Sequence, residues 1–575
     1  MFARKVNVRI GGKLYTYIRL VENYRENGKR RQRVILNLGR EDEAARKAAK
    51  IIKGLAPLLD TPYITREDLA EKLKAERARE IGVTLVGNRL WKIAGLDEII
   101  KEVAPRVEDI ERTEALIRAM VLNRLSDPES KWGIFRWLKK ADIGPGQELL
   151  CEFSQKELSD RFYAAMDVLL PKQKAIENRL YLRLRNLFSL ELDLVFYDIT
   201  STYFEGVGPV GLAERGYSID HRDDRPRILI GLLMAGGLPV AHHVFKGSRR
   251  DSTTVEKVLD DLLSRFRVRK VMFVGDRGMM TEKIANAIRQ RGHEYLFALK
   301  RRRCKESRWV LDEPFHGSVR VGKNIRAKEF EAEDGDRLVV CRNPEQARFD
   351  AARRRDMMKA VEKELKALED EVSSGRLENE KKIVAKAAVI LSRRHGKRYF
   401  DYEARRGYFR YFRKEESLEL ESKLDGVFVL KTNNTERSVE ELVASYKDEL
   451  SNVDRAFRNL KGPLELRPVY HRKPRRVEAH VFICVLSFLL ECILQQRLWL
   501  AGVRMSAEAA LDEMKSMHRV EDVIDDLVLH RVTQPTQEQK KILEALEVRI
   551  PRPHAGSSCT APVASKPATS GGPKT

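Results

Sequence analysis

Cysteine is scarce in this chain. Six occur in 575 residues (151, 304, 341, 484, 492 and 559), none in Cys-x-x-Cys spacing. That excludes a disulfide framework and a zinc ribbon, and fits a reducing compartment. Long apolar runs are also missing. The longest near-continuous one, Val481–Leu490, is about half of what a membrane span needs, so a buried helix is expected there. The opening residues are followed by polar, alternating sequence without the apolar stretch of a secretion signal. A cytoplasmic protein with no membrane contact is therefore expected. Acidic charge is in deficit: Lys+Arg number 109 against 86 Asp+Glu, a net of +23. An excess of this size points to a polyanionic partner, nucleic acid before others. The length is too great for one core and implies roughly three or four domains.

Residues 1–42 read as a basic β-meander. Gly11-Gly12 and Asn27-Gly28 are hairpin dipeptides, flanked by β-branched and aromatic residues. The first forty residues hold eleven Lys/Arg against two acids. This suits contact with a DNA backbone, with Arg30, Arg31 and Arg33 as candidates. Residues 43–190 are expected to be a helical DNA-binding region; Thr65–Asp68 resembles a capping box with Asp for Glu. Strands are then expected at 192–204, 227–235 and 239–245, a helix at 252–265, a strand at 270–275, a helix at 281–291 and a strand at 294–299. This order is that of an RNase H-like α/β domain, in which the first and fourth strands are neighbours. Residues 191–302 thus form the first part of a catalytic core and 426–504 the second. Between them, 303–425 is read as an inserted α+β domain. Its helical hairpin carries Met358, Val361, Leu365, Leu368 and Val372 as a packing seam. Residues 505–550 are expected to be helical, and the Pro/Ser/Ala/Gly composition of 551–575 predicts a disordered tail.

Three apolar stretches each deliver a carboxylate. Asp198 and Asp276 end strand-like runs, and Glu478 opens a helical one. Strand alternation puts Leu192, Leu194, Phe196 and Asp198 on one face, and likewise Met272, Val274 and Asp276. A carboxylate ending an apolar face is costly unless compensated. Hard oxygen ligands suit Mg²⁺ or Mn²⁺. Two such ions, about 4 Å apart, can activate a water or a 3′-hydroxyl and stabilise the leaving oxygen of an in-line phosphoryl transfer. Either aspartate alone reads equally well as a turn cap; two at strand ends with a helix-borne glutamate favour the metal site. Residues 455–476 hold eight Lys/Arg against one acid, Glu465. Lys461, Arg472, Lys473, Arg475 and Arg476 are candidate phosphate contacts, which give affinity rather than sequence reading. Lys300–Arg303 forms a second basic cluster, equally readable as solvated charge.

These residues resemble the DDE transposases of bacterial insertion sequences, in the IS-four-like group with an inserted domain. YDITSTYF at 197–204 is similar to that family's first-aspartate motif. GLPV at 237–240 with KGSRRDSTTV at 246–255 resembles its second and third strands and the turn beyond. FVGDRGM at 273–279 resembles its second-aspartate motif, and RPVYH at 467–471 with RVEAH at 476–480 its glutamate region. The resemblance makes Asp198, Asp276 and Glu478 a catalytic triad holding two ions. It implies cut-and-paste transfer of double-stranded DNA, with inverted repeats and target DNA as partners and a homodimer bridging two ends. The glutamate signature departs from the family's: His471, Pro474 and Val485 stand where Tyr, Arg and Lys are usual. The chain thus fits a divergent branch, and Glu465 and Glu491 are weaker alternatives to Glu478.

Two features invite other readings. Gly206–Gly211 matches the GxGxxG pattern, but Pro209 sits inside it and no amphipathic helix follows, so no nucleotide cofactor is expected. His242 and His243 are adjacent in a strand and point to opposite faces, which favours structural roles. The rival functions are a metal-dependent nuclease or resolvase that does not join strands, and a non-catalytic DNA-binding descendant of a transposase. Intact carboxylates at all three positions argue against the second.

Overall fold

The computed structural model describes residues 1–55, 58, 74–188, 190, 192–215, 224–248, 252–266, 270–275, 281–299, 305–467, 469–524 and 527–556. It divides into two compact units. One comprises Met1–Arg79, His518–Thr533 and Ile550–Thr575; the other comprises Glu80–Met517 and Gln534–Arg549.

In the first unit, β1 (Phe2–Ile10), β2 (Lys13–Glu26) and β3 (Lys29–Arg40) form an antiparallel meander. Gly11, Gly12, Asn27 and Gly28 all take positive φ. The two tight turns fix the registers, pairing Ile10 with Lys13 and Glu26 with Lys29. A second sheet has the order β18-β17-β16-β4, with β4 at Lys74–Glu80, β16 at His518–Ile524, β17 at Leu527–Val532 and β18 at His554–Gly556. This corrects three expectations. Residues 43–190 include a strand. Residues 505–550 are a helix (Ala507–Met514), the β16–β17 hairpin and a helix (Gln537–Ala545). The 551–575 stretch contributes β18, and 557–575 lie outside the described residues. The hairpin was legible in principle, since its strands are rich in Val, Ile and Leu. Thr65–Asp68, Lys300–Arg303, Cys304 and Cys559 also lie outside the described residues.

The second unit opens with helices, among them Ile110–Ser126, Gln155–Leu169 and Gln173–Phe188. Ser154 and Glu157 cap the second of these reciprocally. A nine-stranded sheet follows. Its strands are β5 (Leu194–Tyr203), β6 (Arg227–Ala235), β7 (Leu238–Lys246), β8 (Met272–Gly275), β9 (Glu294–Ala298), β10 (Val319–Val321), β11 (Ile325–Glu331), β12 (Arg337–Arg342) and β15 (Val427–Thr432). They run in the order β10-β11-β12-β15-β9-β8-β5-β6-β7. β5 lies parallel to β8, so the expected first and fourth strands are neighbours. β8 lies parallel to β9, and the remaining pairs are antiparallel.

The segment expected as a separate insertion at 303–425 is therefore divided. Its first strands continue the central sheet through β15, sharing a core of Leu338, Val340, Val427 and Val429. Only the later part stands on its own core. There, helices Pro344–Ser373 and Glu380–Ser392 pack on the hairpin β13 (Phe400–Arg405) and β14 (Tyr408–Arg413). Val361, Leu365, Leu368 and Val372 form the seam, facing Ile383, Ala387, Leu391 and Phe409.

Helix Pro474–Leu500 is long and apolar enough to cross a membrane, but its most apolar window is 94% buried inside the protein. It is the central core helix of the unit, and every residue from Ala479 to Leu494 is buried.

Candidate active site

Asp198 sits within β5, which continues five residues past it to Tyr203, within the 192–204 strand expected. What ends near it is the pairing to β8, whose last register partners are Phe196 and Val274. Asp198 is half-buried, and its Oδ1 accepts a hydrogen bond from the Ile199 N–H at 2.8 Å. Across the antiparallel strands it is paired with Leu232, and Leu232 is paired with His242. Directly opposed residues share a face, so Asp198, Leu232 and His242 form one row. The other face is covered by helix Ser252–Phe266, where the Tyr197 hydroxyl bonds Thr254 Oγ1 at 3.1 Å.

The third carboxylate reaches the same row from above. Pro474 starts the glutamate helix at its first turn, where the missing N–H costs nothing. Phe204, just after β5, makes a bridge to Val469, which ties the approach of that helix to the strand carrying Asp198. One turn beyond Glu478, Phe482 stacks on the His242 ring at 5.2 Å. Glu478 is half-buried. Burial pushes its carboxyl above the ordinary range, while the nearby His242 and Lys257 pull the other way. It makes no ion pair among the described residues. A partly desolvated carboxylate of this kind is a hard oxygen donor suited to a divalent cation.

Asp276 lies outside the described residues, as do Asp251 and residues 216–223. Among the described residues no three His, Cys, Asp or Glu side chains gather closely enough to hold a metal. The described part of the candidate triad is thus Asp198 and Glu478. The two alternatives to Glu478 stand apart. Glu465 is exposed, with φ of 44°. Glu491 is thirteen residues further along the helix, about 20 Å at the usual rise. It accepts a hydrogen bond from Asn459, and burial pushes its carboxyl up to about 7.

Next to the row lies a buried polar network that the sequence reading missed. Glu177 Oε1 pairs with His242 Nδ1 at 2.8 Å, and its Oε2 accepts from Arg265 Nη1 at 2.5 Å. Arg265 also pairs with Asp261 at 2.6 Å, and Asp261 lies 3.3 Å from His243 Nε2. The network wraps the edge strand β7, with the two histidines on opposite faces as expected. Glu177 falls among Ile176, Leu180, Tyr181 and Leu184 on a buried helix face. A lone carboxylate on an apolar stripe was the available signal. Lys257 was likewise missed.

The basic candidates differ in how free they are. Arg475 and Arg476 both pair with Asp167, at 3.0 and 3.1 Å, and the Arg476 guanidinium lies 4.4 Å over Tyr163. Arg472 and Lys473 are exposed, and Lys461 is half-buried. In the meander, Arg31 pairs with Glu26 at 2.9 Å and Arg33 with Glu22 at 2.6 Å, while Arg30 is exposed. Loop 206–211 carries positive φ at Gly206, Gly208 and Gly211, and the described residues that follow it, 212–215, are not helical.

His471 and His480 turn inward, with ring centroids 5.2 Å apart. His480 Nε2 lies 3.3 Å from the Leu466 carbonyl. Burial and the charges of Lys131, Arg476 and Arg124 depress His471 to about 3. His480 lies well below its usual value for similar reasons, and buried Lys131 falls to about 7.

Comparison with known families matches the Transposase DDE domain to residues 201–490, half of the chain. The chain belongs to the DDE transposases. The N-terminal domain of the IS1634 family transposases also matches, at residues 3–63, which includes all of the meander but its first residue. The match to the DDE domain begins three residues after Asp198 and includes both Asp276 and Glu478. Among solved structures, the cryo-EM piggyBac transposase synaptic complex with hairpin DNA is similar at 11% identity and a TM-score of 0.35. The similarity covers 75% of this chain and 79% of that one. No curated protein sequence matches. The protein is thus a DNA transposase of insertion-sequence type, a family that works with divalent metal ions.

Proposed function

We propose that β7, β6, β5, β8 and β9 are an RNase H-like core and that Asp198, Asp276 and Glu478 are its catalytic carboxylates. The observation that carries this is the row Asp198–Leu232–His242, against whose His242 end packs the helix that bears Glu478. Asp276 supports it from the sequence: it stands two residues after Val274, as Asp198 stands two after Phe196, and those two are register partners. The carboxylates would hold two Mg²⁺ or Mn²⁺ ions, which supply charge stabilisation and an activated oxygen nucleophile when bound. The chain's own groups orient the reaction. The apolar sheet beneath Asp198 excludes water, and exposed Arg472 and Lys473 hold DNA phosphates.

In this reading the transposase binds the inverted repeats of its own element and cuts and joins DNA by a cut-and-paste route. It works as a homodimer bridging two ends, in the bacterial cytoplasm at the nucleoid. Residues 1–42 and the helices that follow contact the ends. Glu478→Ala should abolish strand cleavage, by at least about a thousandfold, while a gel-shift assay shows end binding retained. Normal cleavage by this variant would remove Glu478 from the site. Failure of the wild type to join a pre-cut 3′-hydroxyl end to target DNA would leave a nuclease instead.

A further inference from the structure

The two faces of the meander are charged differently. Directly paired residues of antiparallel strands share a face, as do alternate residues along one strand. Arg4 pairs with Arg19, Asn23 with Gln32 and Arg25 with Arg30, and positions 19, 23 and 25 of β2 point the same way. These six side chains therefore line one face. Glu22 and Glu26, the acids of residues 1–40, alternate to the other face, where they pair with Arg33 and Arg31. Lys5, also on that side, pairs with Glu41. None of Arg4, Arg19, Arg25 and Arg30 is ion-paired among the described residues. All but half-buried Arg19 are exposed, as are Asn23 and Gln32. The amides sit among these arginines. Arg4 Nη1 donates to Gln32 Oε1 at 2.5 Å, and Gln32 Nε2 donates to Asn23 Oδ1 at 2.9 Å. Arg4 and Gln32 belong to the outer strands, so the bonds span β2, and Val21 beneath them is 3% exposed. Phe2, where β1 begins, is paired with Val21, so only two strands run on from Glu22 to Arg33. A two-stranded ribbon fits the major groove of B-DNA, where Asn and Gln amides match adenine edges. From Arg19 to Arg25 the row is about 20 Å long, the length of about six base pairs.

We propose that the β2–β3 ribbon enters the major groove of the element's end with this face toward the bases. Asn23 and Gln32 read base edges, and Arg4, Arg19, Arg25 and Arg30, at either end of the row, hold the flanking phosphates. A guanidinium has five donors, so Arg4 can fix Gln32 and grip a phosphate together. Arg31 and Arg33, expected from the sequence alongside Arg30, face away. The inference rests on residues 1–42 contacting the inverted repeats, and deepens that reading from a basic segment to one face with two base-reading amides.

Binding of the full-length chain is measured by fluorescence anisotropy on two duplexes across a range of salt. One carries the inverted repeat that flanks the gene, and the other is a shuffled sequence of the same length and composition. Asn23→Ala with Gln32→Ala should cut the preference for the repeat at least about tenfold and leave the shuffled duplex bound as before. This variant is read as a ratio between duplexes, so partial unfolding, which weakens both alike, cannot mimic the loss. Arg25→Gln with Arg30→Gln should weaken both duplexes together and lower the slope of log affinity against log salt by about 2. Arg31→Gln with Arg33→Gln removes the same charge from the other face and should change that slope by less than about 1. An undiminished preference in the amide variant overturns the proposal. So does a slope that falls as far for Arg31 and Arg33 as for Arg25 and Arg30, which leaves the meander bound to DNA but by no one face. If all three variants bind both duplexes as the wild type does, the meander does not contact DNA, and the reading of residues 1–42 fails as well.

Discussion

Two buried histidine clusters lie against the same core helix and have solved opposite problems. Around His242 the charges come in pairs. Glu177 and Asp261 answer Arg265 and the two histidines, and the Glu177 carboxyl is held below its usual range despite burial. Around His480 the buried charges are basic. Lys131, Arg124 and His471 share the space with no ion-paired carboxylate among the described residues, and Arg124 turns to the carbonyls of Leu464, Glu465 and Glu129 instead. Here burial and mutual repulsion drive Lys131 and both histidines toward their neutral forms. The first cluster keeps its charges by satisfying them, and the second by discarding them. A buried basic residue therefore means something different on each side of the helix that carries Glu478.

Removing a charge should accordingly cost stability on one side and add it on the other. Glu177→Leu leaves Arg265 and His242 without their carboxylate and should lose about 3–5 kcal/mol, read from the urea midpoint. A loss under about 1 kcal/mol would make the network no better than a surface one. Lys131→Met removes an uncompensated buried amine and should gain about 1–4 kcal/mol at pH 7. Its pH profile sharpens this. In the folded state Lys131 releases its proton near 7, and in the unfolded chain near 10.4, so the unfolded state binds more protons between those values. Wild-type stability should then rise with pH across that window, and Lys131→Met should be flat there. The smallest effect is on the acid side. His480 is buried and held neutral well below its usual value, so only the unfolded chain takes up a proton as pH falls below about 6.5. Stability present above 6.5 is lost on acidification, by up to about 1.4 kcal/mol per pH unit, and His480→Leu should remove that part of the slope. An unchanged acid limb would mean that the histidine is charged in the fold.

The carboxylate-bearing strands could be read from the sequence because their signals are local. LDLVFYD and VMFVGD are short apolar runs bounded by turns, and the strands lie where the runs do. The pairing of β15 with β9 was not legible, because its partners lie more than a hundred residues apart and nothing in VFVLKT names EYLFA. That one pairing turns the first part of a supposed insertion into three more strands of the same sheet. The role of Glu177 was hidden for another reason. A single acid on a helix reads as solvated until its face is known, and the face depends on which strand the helix covers. Glu478 was readable only through a motif that matches in part. Its burial and its neighbour His242 come from tertiary packing, which no local pattern encodes.

The order in which the sheet is completed has a consequence for synthesis. Strands β5 to β9 leave the ribosome first; helix Val439–Lys461, which packs on β5, β6 and β8, and helix Pro474–Leu500, which packs on β7, follow, and the second ends only at Leu500. At 5–20 residues per second that delay is about 10–40 s. Throughout it, Phe196, Leu232 and Val274, each nearly fully buried in the finished protein, lack their roof. A message cut short before these helices therefore yields no smaller enzyme. It yields a sticky half-sheet, and the growing chain is a client for chaperones before it is a transposase.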